Sequence, residues 1–147
     1  MGSGVPICDD YRMEAKVPVL LVDDQVPFRN AARAVLERAS PFVLVGEAAS
    51  GFEAIELVGE LQPALVLMDI NMPEMTGIEA TRAIIDAHPE VTVVLVSTYQ
   101  VDDLPTDVQE SGASGYLHKE ELSGRVLRRF WEDGSQPGWR VPSRLTQ

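Results

Sequence analysis

Cysteine is nearly absent from this chain. Cys8 stands alone among 147 residues, so no disulfide framework can hold the fold. Histidine is almost as scarce. His88 and His118 are the only two and lie thirty residues apart, which excludes a Cys/His zinc site. Positive charge is also short, with 12 Lys and Arg against 23 Asp and Glu and a net charge of −11. Nucleic acid is held by basic faces, so direct binding of it by this chain is not expected. No apolar run approaches the roughly 18 residues that span a bilayer, so no membrane partner is expected. The first residues, Met1–Gly4, lack the basic and apolar regions of a signal peptide. A lone thiol and no export signal point to a cytoplasmic protein.

What is present suits one globular domain with a real core, because 45% of the residues are hydrophobic. The acidity is uneven. Residues 17–119 hold 16 acids and 5 bases, whereas residues 120–147 hold four acids and five arginines. Most of the acids read as solvated surface. The exceptions stand at the ends of apolar runs.

Val17–Val22 is a continuous apolar run that stops at Asp23 and Asp24. Such runs read as buried parallel strands. Phe28, Ala31, Ala32, Val35, Leu36 and Ala39 follow at helical spacing. A second strand is expected over Phe42–Val45. A second helix opens at Ser50-Gly51 and carries Ala54, Ile55, Val58 and Leu61 on one face. Ala64–Met68 predicts a third strand, again ending at a carboxylate, Asp69. A loop with Pro73 and Gly77 leads into a third helix over Ile78–Ala87. Val91–Val96 predicts a fourth strand, ending at Ser97. Pro105 then suits the start of a short fourth helix. Ser114–His118 predicts a short fifth strand leading to Lys119, and Leu122–Trp131 a last amphipathic helix. Strand and helix alternate five times, which predicts a parallel sheet covered on both faces. The domain is expected over 17–133, with 1–16 a flexible leader and 134–147 a tail or linker remnant.

Open parallel sheets bind ligands at the carboxyl ends of their strands. Asp23, Asp24, Asp69, Ser97 and Lys119 all fall at such ends. Paired carboxylates repel by roughly 4 kcal/mol at about 4 Å and an effective dielectric near 20. Lys119 and a divalent metal would relieve that repulsion, and an oxygen-rich, hydrated site suits Mg²⁺. The backbone carbonyl near Asn71 could add a ligand. An aspartate beside Mg²⁺ and a lysine is a sensible phosphoryl acceptor, and Ser97 could donate to a phosphoryl oxygen.

The segments Leu20–Asp24, Val66–Gly77, Val94–Ser97 and Gly112–Lys119 together resemble the receiver domain of two-component response regulators. The resemblance covers about residues 17–131. It implies a flavodoxin-like, doubly wound, five-stranded parallel α/β sheet in the order 2-1-3-4-5, with helices on both faces. It also implies a role for each matching residue. Asp69 would be the phosphoacceptor, and Asp23 and Asp24 the acidic pair, Asp24 being the more direct metal ligand. Asn71 would ligate through its backbone carbonyl. Ser97 would be the switch hydroxyl, Tyr116 the switch aromatic and Lys119 the phosphoryl-binding lysine.

The implied partner is a histidine kinase. The implied activity is that of a phosphoacceptor signalling domain, not of an enzyme acting on others. The output face, where a homodimer could form, would comprise the fourth helix, fifth strand and fifth helix. Asp23–Arg29, Glu120 after Lys119, and the tail Gly138–Thr146 are similar to NarL/FixJ-type transcriptional regulators, which would reach DNA only through an effector domain. Thr98 departs from the small residue usual after the switch hydroxyl and is expected to crowd the phosphoryl site. A stand-alone or phosphorylation-independent receiver acting through protein contacts is the alternative reading. A phosphatase using Asp69 and Asn71 fits less well, because position 71 is not an acid.

Overall fold

The computed structural model describes residues 15–132. The leader before it, with Cys8, and the tail after it, with Trp139, lie outside the described residues. Five parallel strands form one sheet, β1 (Val17–Val22), β2 (Phe42–Ala48), β3 (Leu65–Asp69), β4 (Thr92–Ser97) and β5 (Gly115–His118). Their order is β2-β1-β3-β4-β5, as the resemblance implies. Four α-helices connect or follow them, α1 (Val26–Glu37), α2 (Gly51–Leu61), α3 (Gly77–Ala87) and α4 (Gly124–Glu132).

The apolar runs become strands because both faces of the sheet are covered. Leu20, Val22, Val66, Met68, Val93 and Leu95 point to one side and pack with Ala54, Val58, Ala80 and Ile84 of α2 and α3. Val19, Leu21, Leu65, Leu67, Val94 and Val96 point to the other side and meet Ala32, Leu36, Leu127 and Phe130 of α1 and α4. The strand residues alternate between the two cores, as a period of two requires.

Helix starts follow local chemistry. Pro27 lies in the first turn of α1, where a missing N–H costs nothing. Ser50 caps α2 by accepting from the Glu53 N–H at 3.1 Å. Thr76 and Glu79 close a reciprocal capping box on α3. Gly59, inside α2, has nothing within 4 Å of where a Cβ would sit. Gly59→Ala should therefore stabilise the chain by about 0.5–1 kcal/mol, through the entropy of its unfolded state. Urea unfolding would show it, and an unchanged or lowered midpoint would refute it.

Two elements differ from expectation. β2 runs on to Ala48, past Gly46 and Glu47, which break the apolar pattern. The fourth helix does not form. Residues 101–111 hold only two 3₁₀ turns, Val101–Asp103 and Val108–Ser111. Pro105 excludes helical backbone at the residue before it, and Leu104 is extended, with φ −67° and ψ 146°. Gly112 stops the second turn at φ 96°. The face expected to carry output therefore consists of these turns, β5 and α4. The backbone bonds here reach only three residues back, such as Glu110 N–H to Asp107 O at 3.1 Å. Amides of 101–111 should exchange with deuterium far faster than those of α2 and α3. Equal protection would contradict this.

Candidate functional site

The strand order brings four carboxyl ends to one rim. Asp23 follows β1 and is fully buried, with Asp24 exposed beside it. Asp69 is the last residue of β3 and Ser97 the last of β4, and both are buried. Lys119 opens a 3₁₀ turn after β5. One carboxylate oxygen from each of Asp23, Asp24 and Asp69 lies within 4.8 Å of the others. The Lys119 ammonium is 2.7 Å from Asp23 Oδ2 and 3.6 Å from Asp69 Oδ1. The residues singled out in the sequence thus converge.

Their electrostatics follow from burial. Asp69 is pushed up to about 6 by burial first and by the Asp23 charge next, while Lys119 and the Asn71 backbone N–H pull against them. The Asp23 carboxylate is fixed from both sides, since Oδ1 accepts from the Gln25 N–H at 2.8 Å and Oδ2 faces Lys119.

This donor set fits a hydrated divalent cation. Two oxygens on one Mg²⁺ lie at most about 4.2 Å apart when each bond is about 2.1 Å. The carboxylate spacing needs only slight closure to reach that. Asp24 is the exposed member, so the cluster opens to solvent on its side. Asn71 is also exposed, two residues beyond Asp69.

Tyr116 is fully buried, and its hydroxyl donates to the Ser97 carbonyl at 2.9 Å and the Tyr99 carbonyl at 2.6 Å. Burial pushes its phenol up to about 12, so it stays protonated and keeps donating. Thr98 is exposed, and its carbonyl faces His118 Nε2 at 3.1 Å.

Three side chains at the rim were not assigned to it from the sequence. The Tyr99 hydroxyl reaches Asn71 Oδ1 at 3.4 Å. Arg29 Nη1 donates to the Asp23 carbonyl at 2.6 Å. The Phe28 ring centroid lies 4.6 Å from the Lys119 ammonium. Each is within six residues of a motif residue, and that proximity was the available signal.

Fold and site together define a phosphoryl-type receiver architecture, and the comparisons agree. Residues 19–130 match the response regulator receiver domain family, and the chain belongs to that family. It is 39% identical over 107 residues to "Transcriptional regulatory protein DegU" of Brevibacillus brevis, covering 73% of this chain and 45% of that protein. It is 40% identical over 103 residues to "Response regulator GacA" of Pseudomonas protegens, covering 70% of this chain and 48% of that protein. The chain thus spans about half the length of these curated relatives. Among solved structures, a LuxR-family two-component response regulator from Aurantimonas sp. superposes with a TM-score of 0.76 at 30% identity, over 88% of this chain and 92% of that one. The response regulator domain of Thermotoga maritima CheB superposes at 0.74 over 84% and 99% of the two chains, and at 24% identity it shows the fold alone. Among the described residues, no helix is long and apolar enough to cross a membrane.

Proposed function

We propose that this domain accepts a phosphoryl group on Asp69 from a histidine kinase and converts it into a conformational signal. The observation that carries the reading is the convergence of three carboxylates and Lys119 on one strand-end rim.

An Asp69 carboxylate oxygen attacks the phosphorus. The donor's P–N bond breaks and its imidazole nitrogen keeps the electron pair. Asp24, Asp69 and the Asn71 backbone carbonyl are the residues suited to hold Mg²⁺, with Asp23 anchoring Lys119 beside them. Bound there, Mg²⁺ would neutralise charge on the phosphoryl oxygens. Lys119, 3.6 Å from Asp69, is placed to bind one of those oxygens. Ser97 is placed to donate to another. The added charge then biases an existing equilibrium between two conformations. Inverting a 1:99 ratio takes about 5.5 kcal/mol of differential interaction. Tyr116 is inward in this structure, so its part in the switch would be to hold the Ser97–Tyr99 backbone in one of the two states.

The surface proposed for output and self-association is the face of the 3₁₀ turns, β5 and α4. Relatives named as transcriptional regulators support an output through DNA, delivered by an effector domain and not by these residues. A cytoplasmic location belongs to the same reading.

The test is intact mass after acetyl phosphate and Mg²⁺. One added phosphoryl group is expected on the parent chain, and none on Asp69→Ala or after chelation. If neither acetyl phosphate nor a cognate kinase labels the parent chain, the phosphorylation-independent receiver replaces this reading.

A further inference from the structure

The first turn of α1 carries two contacts that the phosphoryl chemistry itself does not require. Lys119 is the only cation at the rim that faces both Asp23 and Asp69 among the described residues. A lysine stem is flexible and its ammonium is strongly hydrated. Something must keep that ammonium within reach of the incoming phosphoryl group and out of bulk water. Asp23 does part of this at 2.7 Å. The Phe28 ring covers another side at 4.6 Å and packs against the core formed by α1 and α4.

The ring is itself fixed. Pro27 precedes it, and Arg29 follows it. Arg29 Nη1 bonds the Asp23 carbonyl at 2.6 Å, and its Nε pairs with Glu47 of β2 at 3.1 Å. Arg33 braces the same Glu47 at 2.8 Å. Glu47 is held well below the usual carboxylate range, first by its hydrogen bond from Arg33. The turn is thus fastened both to the backbone of the acidic pair and to the edge strand.

We propose that Phe28 is a positioning residue for phosphoryl transfer, its π-face seating the Lys119 ammonium between Asp23 and Asp69. An ammonium over a ring face keeps electrostatic stabilisation when water is excluded. The same ammonium can then swing from Asp23 to a phosphoryl oxygen without passing through bulk solvent. The inference rests on the proposed function, and it assigns a role to a side chain that touches neither phosphorus nor metal.

The experiment follows the rate of acetyl phosphate labelling by intact mass, at saturating Mg²⁺ and over a range of acetyl phosphate. Phe28→Leu keeps an apolar side chain and removes the ring. It should lower the maximal rate about tenfold and leave the half-saturating concentration unchanged. Phe28→Tyr keeps the ring and should retain the parent rate within about twofold. Mg²⁺ alone, titrated by calorimetry, should bind Phe28→Leu as tightly as the parent. If Phe28→Leu does not fold, Phe28→Met carries the same expectation. The inference fails if the leucine variant labels like the parent, or if the tyrosine variant falls with it, since either marks simple packing. It also fails if Mg²⁺ affinity drops in proportion, which marks a damaged carboxylate cluster. A parent chain that takes no label overturns the proposed function and this inference together.

Discussion

Asp69→Asn should melt higher than the parent chain at pH 7 in the presence of a chelator. Its carboxyl is raised to about 6 by burial and by Asp23. An acid raised in this way binds its proton more tightly folded than unfolded. The stabilisation from that proton is complete below the unfolded value, near 3.8, and is lost as pH rises through about 6. At pH 7 the ionised group therefore destabilises the metal-free fold, by on the order of 2–3 kcal/mol. Asparagine removes the charge and nearly keeps the shape. Melting should rise by roughly 5 °C or more at this chain length. The gap should shrink at pH 5, where Asp69 is largely protonated, and shrink again when Mg²⁺ is added to both proteins. Circular-dichroism melts under the three conditions check this. A variant no more stable than the parent at pH 7, or a gap indifferent to pH, would show that the rim stores no such repulsion.

Gly77→Ala should be severely destabilising, by about 3 kcal/mol or more. A Cβ at this first residue of α3 would sit 2.0 Å from the Asp69 carbonyl oxygen and 3.0 Å from the Ile70 Cα. Both are backbone, and neither can rotate away. The Gly77 N–H also bonds the Ile70 carbonyl at 2.8 Å, which holds the two segments together. Gly51→Ala is the control. Its Cβ would meet the Met75 sulfur at 2.8 Å, but that sulfur lies at the free end of a flexible side chain. Denaturant titration should place the Gly77 variant far below the Gly51 variant. Equal midpoints would mean that the end of β3 yields more easily than its packing implies.

Most of the sheet was legible because its strands are buried on both faces. Val17–Val22 and Val91–Val96 are apolar without alternation, and each stops abruptly at a polar residue. Those same stops located the site, since a carboxylate has no other reason to end a buried strand. The end of β2 was less legible. Gly46 and Glu47 look like a loop, but Glu47 is neutralised by Arg29 and Arg33 from α1 and stays in the strand. Residues 101–111 misled for a local reason, because Pro105 is a good first helical residue and also a veto on the residue before it. Phe28, Arg29 and Tyr99 act through contacts with residues that only the fold brings near. Helical spacing alone made Phe28 an ordinary core residue.

One more consequence lies in the last helix. Trp131 meets the Phe42 ring edge-on, with centroids 6.4 Å apart, and Gly124 approaches Ala39. The end of the domain therefore closes over side chains from its beginning. A chain emerging from the ribosome presents Leu36, Phe42 and Leu65 long before Phe130 and Trp131 exist to cover them. Until then one side of the sheet is a bare apolar wall, attractive to chaperones and to other nascent chains. Completion is an all-or-none event, timed by the synthesis of the final helix.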